Sequence, residues 1–197
     1  MGRVELSGQT FAPIQLEQKT MLAGRFATKA IYQPMSSLYT KYGNKWTEDA
    51  RGGMLAYLSR YDEKGGLALL KQELGKPGAS GATRSLCQSF YSPAVNRFFE
   101  EKLEQDDVSA AAEGANVLSE YGQARAELLL RNRLDRWRKT WATGTKNTPR
   151  EQGSLEGELT LAIIRGKNWR VDEIEADQLK QACITHECRE MVQVELR

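Results

Sequence analysis

The stretch VSAAAEGANVLSEYGQARAELLLRNRL, residues 108–134, holds two apolar phrases in succession: Leu118 with Tyr121, then Leu129-Leu130 with Leu134. The same pair of phrases stands at Leu58 and Tyr61, followed by Leu69-Leu70 and Leu74, and again at Cys87 and Phe90, followed by Phe98-Phe99 and Leu103. The steps from Leu58 to Cys87 and from Cys87 to Leu118 are 29 and 31 residues. Within each half the apolar positions recur at helical spacing, and a period of this length is what stacked helix pairs produce, because one pair alone cannot bury its apolar face. The spacing predicts an all-α chain, an α-solenoid of antiparallel helix pairs.

Punctuation along the chain divides it. Residues 1–46 read as N-terminal capping helices, with Met21, Leu22, Phe26, Ala30 and Ile31 as one apolar stripe ended around Pro34, and a short helix over Leu38, Tyr39 and Tyr42. Residues 47–141 read as three helix pairs. Thr47 starts the first, Asp62 marks a tight turn, the breakers of residues 75–81 precede the second, Ser92-Pro93 opens its second helix, and Asp106-Asp107 opens the third. The polar stretch 142–153 reads as an exposed loop. Residues 154–197 read as C-terminal capping helices, with Leu155, Leu159, Ala162 and Ile163 on one face and Ile174, Leu179 and Ala182 on another. The whole is expected to be one continuous domain. No alternating strand pattern is visible.

The third unit, with Ala110, Ala111, Ala112, Gly114 and Ala115 on one helix followed by Ala126-Glu127-Leu128-Leu129-Leu130, resembles the short HEAT-like repeats of bacterial proteins. The resemblance covers roughly residues 47–141 and is looser in the second unit, where Thr83 and Arg84 replace small or apolar residues. It implies an interaction scaffold as the commonest role, with nucleic-acid binding or enzyme activity in a minority.

Composition narrows the classes. The chain has 197 residues, 40% hydrophobic and 27% charged, with a net charge of +2, and no apolar run approaches the roughly 18 to 20 residues that span a bilayer. A membrane span is therefore not expected. Residues 151–197 carry 10 acidic and 6 basic groups, so the tail is mildly acidic and no overall basic field points to nucleic acid. Met1 to Gln18 lacks the basic start and long apolar stretch of a secretory signal, although a mature form would look the same.

Two segments hold candidate sites. The first is the basic run Arg131, Arg133, Arg136, Arg138 and Lys139, where Leu130, Leu134, Trp137 and Trp141 keep helical spacing and would face the core. The cations are then either a solvated face or a surface for carboxylates and phosphates, nucleic acid included. The second is Cys183-Ile184-Thr185-His186-Glu187-Cys188, with two of the 3 cysteines and the 1 histidine. Cys183, His186 and Cys188 supply three zinc ligands, but crowd them into a span ill-suited to tetrahedral geometry, and no cofactor or metal is expected. Thr185 as a helix N-cap would bring Cys183 and Cys188 close enough for a disulfide across the corner, against the alternative of two free thiols. The tail is similar to the endings of exported bacterial repeat proteins, in agreement with a bridge. A bridged pair would place the chain in the periplasm or outside the cell, an unbridged pair in the cytoplasm.

Cys87 occupies the slot of Leu58 and Leu118 and reads as a buried hydrophobe, with no base beside it. The glycines at 65–66 and 75–81 lack the lysine and strand context of a phosphate loop. The leading expectation is a non-enzymatic scaffold that binds a protein or peptide partner in a groove. Nucleic-acid or polyanion binding through residues 131–139 is the alternative, and an enzyme of unassigned chemistry is third.

Overall fold

The computed structural model describes residues 4–6, 9–11, 13–26, 28–76, 79–142 and 148–196. The chain is all-helical apart from a short antiparallel ribbon, β1 (Val4–Leu6) paired with β2 (Gln9–Phe11). Strands of three residues are too short for alternation to register as a pattern, which is why the sequence does not announce them. The described residues form two compact units, Met1–Ser92 and Pro93–Arg197. The boundary falls within the second repeat, so that repeat gives one helix to each unit.

The first unit contains α1 (Pro13–Phe26), α2 (Tyr32–Tyr42), α3 (Glu48–Tyr61), α4 (Glu63–Glu73) and α5 (Ala79–Ser89), with 3-10 turns at Lys29–Ile31 and Gly43–Lys45. Thr47 caps α3 by accepting the Ala50 N–H at 3.3 Å, and Asp62 both ends α3 and caps α4, accepting the Gly65 N–H at 2.9 Å. A side-chain oxygen at these positions satisfies an N–H that the first helical turn leaves without a partner. Helix α3 lies between α1 and α5 and is buried from Ala50 to Ser59. Gly52 makes the α3–α5 approach possible, since a Cβ there would stand 2.6 Å from Ser85 Cβ and 2.9 Å from Leu86 N.

Three expectations change here. Pro34 ends nothing: it lies in the first turn of α2, where its missing N–H costs no hydrogen bond. The short helix expected over residues 38–42 is the second half of that same helix. Leu22, Phe26, Ala30 and Ile31, read as one apolar stripe, do not share a helix, since α1 ends at Phe26 and the 3-10 turn holds Ala30 and Ile31, and all four are exposed, because helical spacing says nothing of whether anything covers a face. The Met21 side chain lies outside the described residues.

The second unit contains α6 (Pro93–Leu103), α7 (Val108–Tyr121), α8 (Ala124–Trp141), α9 (Arg150–Arg165), α10 (Glu173–Gln181) and α11 (His186–Glu195). Pro93 takes the first position of α6. Asp107 caps α7 through the Ala110 N–H at 2.7 Å. Helix α9 lies between α7 and α11. Helix α9 begins at Arg150, inside the stretch read as loop, and Gly153 is buried; residues 143–147 of that stretch lie outside the described residues. Ile174 points to solvent and Ala182 is exposed, so the stripe expected on α10 reduces to Ala176 and a half-buried Leu179.

The repeated apolar phrases take matching places. Leu58, Cys87 and Leu118 are buried on α3, α5 and α7, and Leu70, Phe99 and Leu130 are buried on α4, α6 and α8. The small residues of α7 also act as close packing requires, since a Cβ on Gly114 would stand 2.6 Å from Leu103 N and 2.8 Å from Phe99 O of α6.

Candidate functional site

Helix α8 turns its apolar stripe inward. Leu130, Leu134 and Trp137 are buried, Trp141 is half-buried beside Trp137, and the Trp137 indole N–H donates to Gln152 Oε1 at 3.0 Å. The cations consequently fall on its flanks, where four of the five meet acceptors of the protein itself. Arg131 bonds Glu127 Oε1 at 2.9 and 2.7 Å and reaches Glu175 Oε1 of α10 at 2.5 Å. Burial pulls its pKa down, and the hydrogen bonds to these two carboxylates outweigh that and hold it above the ordinary value. Arg133 donates to the Leu103 and Gln105 carbonyls at 3.1 and 3.4 Å, closing the carbonyl end of α6. Arg136 pairs with Glu104. Arg138 bonds Glu156 Oε1 at 3.0 Å and the Leu179 carbonyl at 3.5 Å. Lys139 is exposed and, among the described residues, has no partner. The densest positive charge in the chain thus serves as cross-bracing from α8 to α6, α9 and α10.

At the far end of that bracing lies the cysteine corner. Helix α10 stops at Gln181, Thr185 caps α11 by accepting the Cys188 N–H at 3.3 Å, and a disulfide joins Cys183 to Cys188 with Cα atoms 5.7 Å apart. Both cysteines are buried with Leu161 and Val192, and Ile164 and Met191 pack on the same cluster. His186 stands apart from this pair: its side chain is 76% exposed and its Nε2 lies 3.1 Å from Glu190 Oε1 on the solvent side of α11. The zinc triad conceivable from the sequence is therefore not assembled.

The carboxylate beside the bridge is one that sequence reading missed. Glu156 of α9 is 0% exposed and lies with both cysteine sulfurs in one buried group. Its oxygens accept the Ile184 N–H at 2.9 Å, the Thr185 N–H at 2.9 Å, the Thr185 hydroxyl at 2.7 Å and the Arg138 Nε–H at 3.0 Å. A buried charge with this many donors is neutralised and solvated by the protein, and it pins the start of α11 to α9. The first unit carries a parallel arrangement. Glu73 is also 0% exposed, and it accepts from Arg51 Nε at 2.5 Å, Tyr39 Oη at 2.8 Å and Lys76 Nζ at 3.0 Å. Burial first, and then the charge and hydrogen bond of Glu73, push the Tyr39 phenol well above its ordinary pKa. Neither is legible in the sequence, because nothing local separates Glu73 and Glu156 from the exposed acids of the chain until distant segments pack on them.

A groove runs between α9 and α11, with a volume of about 690 Å³. Gly153 and Gly157 of α9 face α11, where a Cβ on Gly157 would stand 2.5 Å from the Met191 sulfur and one on Gly153 2.7 Å from Glu187 Oε2. The groove is apolar at Leu161, Met191 and Val194 and is crossed at one end by Arg165, which donates from Nε and Nη2 to the two Glu195 oxygens at 2.7 and 2.6 Å. That hydrogen bonding lowers the Glu195 pKa below the usual carboxylate value and raises that of Arg165. No helix among the described residues is long and apolar enough to cross a membrane. Comparison of the chain with protein-family models, with curated proteins and with solved structures gives no match.

Proposed function

We propose that this chain is a non-enzymatic helical scaffold, built of HEAT-like antiparallel helix pairs in solenoid order, that binds a protein or peptide partner. The observation that carries the reading is the α9–α11 groove: an open, apolar-floored cleft between two helices, with the start of α11 fixed by buried hydrogen bonds from Thr185 to Glu156 of α9, a helix cap and a covalent bridge. Clefts of this kind between packed helices suit the apolar face of a partner segment. The stacked-pair order is supported within each unit by the packing of alternate helices, α1 with α3 and α3 with α5, then α7 with α9 and α9 with α11. The matching burial of the repeated apolar phrases supports it further.

The polyanion reading draws on Arg131, Arg133, Arg136, Arg138 and Lys139. Internal acceptors for the four arginines weigh against it, because a phosphate would have to displace bonds already made. Affinity capture with the tagged chain, with and without nuclease, separates the two. A defined protein that stays bound after nuclease and through moderate salt is the expected result; recovery dominated by nucleic acid, with proteins lost after nuclease, overturns it.

A further inference from the structure

We propose that the α9–α11 groove docks a cationic amphipathic helix of a partner protein, with apolar side chains on its floor and lysines or arginines on its rim. The inference rests on the scaffold reading above and assigns it a place and a partner chemistry. The floor is apolar where a helix would lie: Leu161 and Met191 belong to or pack on the disulfide cluster, and Val194 stands 72% exposed on the lip. A large aliphatic side chain in solvent is ordinary alone, but here it is continuous with a cleft that reaches the buried cluster.

Charge decides among occupants. Glu158 of α9 and Glu190 and Glu195 of α11 line the groove against a single cation, Arg165, and Arg165 is already bound bidentately by Glu195. Glu158 accepts the neutral Asn116 amide at 3.1 Å and its charge also acts on Arg165, and Glu190 faces His186. Among the described lining residues three carboxylates therefore share one guanidinium, which leaves the groove with an acidic excess. Nucleic acid, acidic peptides and anionic lipid surfaces meet like charge there, whereas a lysine or arginine flanking an apolar anchor meets its complement. The floor is fixed before any partner arrives, since the Cys183–Cys188 bridge and the Thr185 cap hold the start of α11, so binding does not have to pay for ordering it.

The test uses the full chain, oxidised, and a labelled peptide of about 14 residues with leucines at i, i+4 and i+7 and lysines elsewhere, read by fluorescence anisotropy. A peptide with glutamates for the lysines and one of scrambled order are the comparisons. The leucine–lysine helix is expected to bind, with both comparisons at least about tenfold weaker. Val194→Asp and the double change Glu158→Gln with Glu190→Gln are each expected to weaken it by a similar factor. Leu128→Asp, on α8, removes an exposed aliphatic side chain outside the groove and is expected to leave binding unchanged. Circular dichroism confirms that each variant is folded, and Val194 is exposed enough for its change to leave the core intact. Absence of binding, equal binding of the comparison peptides, or an equal loss with Leu128→Asp overturns the proposal. Repeating the affinity capture with Val194→Asp separates this inference from the reading beneath it. A partner retained by the variant sinks the groove and leaves the scaffold standing; no partner for either protein sinks both.

Discussion

Glu156 holds Thr185 by both of its donors, the backbone N–H at 2.9 Å and the hydroxyl at 2.7 Å on the same carboxylate oxygen. The same hydroxyl oxygen accepts the Cys188 N–H, so one side chain of α9 sets the cap of α11 and the geometry of the disulfide corner. Replacing Glu156 with Ala leaves Arg138 and two backbone N–H groups without their acceptor. The expected loss is about 3 to 5 kcal/mol, the range for breaking a buried pair from one side. Glu156→Gln keeps one acceptor oxygen and should lose less. Denaturant titration followed by tryptophan fluorescence measures both; a change below about 0.5 kcal/mol for the alanine variant, the scale of an ordinary surface substitution, would show that the carboxylate does not hold the corner.

The bridge makes its own prediction. Alkylation under denaturing, non-reducing conditions should label a single thiol, that of Cys87, and intact mass should show three labels only after reduction. Reduction closes no other path and should cost about 2 kcal/mol, the loop-closure contribution of a very short loop. Three labels before reduction would return the pair to free thiols, and with them the argument for an oxidising compartment would fall.

Gly114→Ala tests the close approach of α7 to α6. In an isolated helix this change gains about 1 kcal/mol. Here the new methyl group meets the backbone of Leu103 and Phe99, so the expected result is a loss of about 1 to 3 kcal/mol. A stabilised variant would mean that the two helices separate freely.

The Arg165–Glu195 clasp predicts a pH dependence. The Glu195 pKa is lowered on folding by the Arg165 hydrogen bond, so the unfolded chain takes up that proton at higher pH than the folded chain. The stabilisation is therefore complete above the usual carboxylate value and is lost as pH falls through the lowered one. Both side chains are partly exposed, which limits the effect to about 0.5 kcal/mol. Wild type should exceed Glu195→Gln in stability by that amount at neutral pH and converge with it in acid. A gap that persists unchanged in acid would remove the ion pair as its cause.

Arg133→Glu and Arg136→Glu bear on the polyanion alternative. The scaffold reading expects weak binding of a short single-stranded oligonucleotide at physiological salt, with little change in either variant. A steep fall of affinity with salt in the wild type, abolished by both substitutions, would reverse the ranking of the two readings.

Helix positions and their caps were legible because they are local. Thr47, Asp62, Asp107 and Thr185 each satisfy an N–H three residues away, and Pro93 suits a first turn in any context. The repeat was legible for a related reason, since equal spacing of apolar residues survives without knowledge of what they touch. The basic run on α8 was legible as charge and opaque as function, because its meaning depended on Glu104, Glu156 and Glu175, which lie 18 to 44 residues from the arginines they meet.

By itself, then, the sequence determined an all-helical chain, the places where most helices begin, and which faces are apolar, all of them consequences of spacing within a few turns. The tertiary structure alone decided which apolar faces are covered, leaving Phe26 and Ile174 in solvent while burying Glu73 and Glu156. It also decided that His186 turns away from the cysteines and that α9 and α11 pack together beside an acid-rimmed groove. Burial and ion pairing depend on which distant segments meet, and that is set by packing over the whole of each unit rather than by any stretch of chain within it.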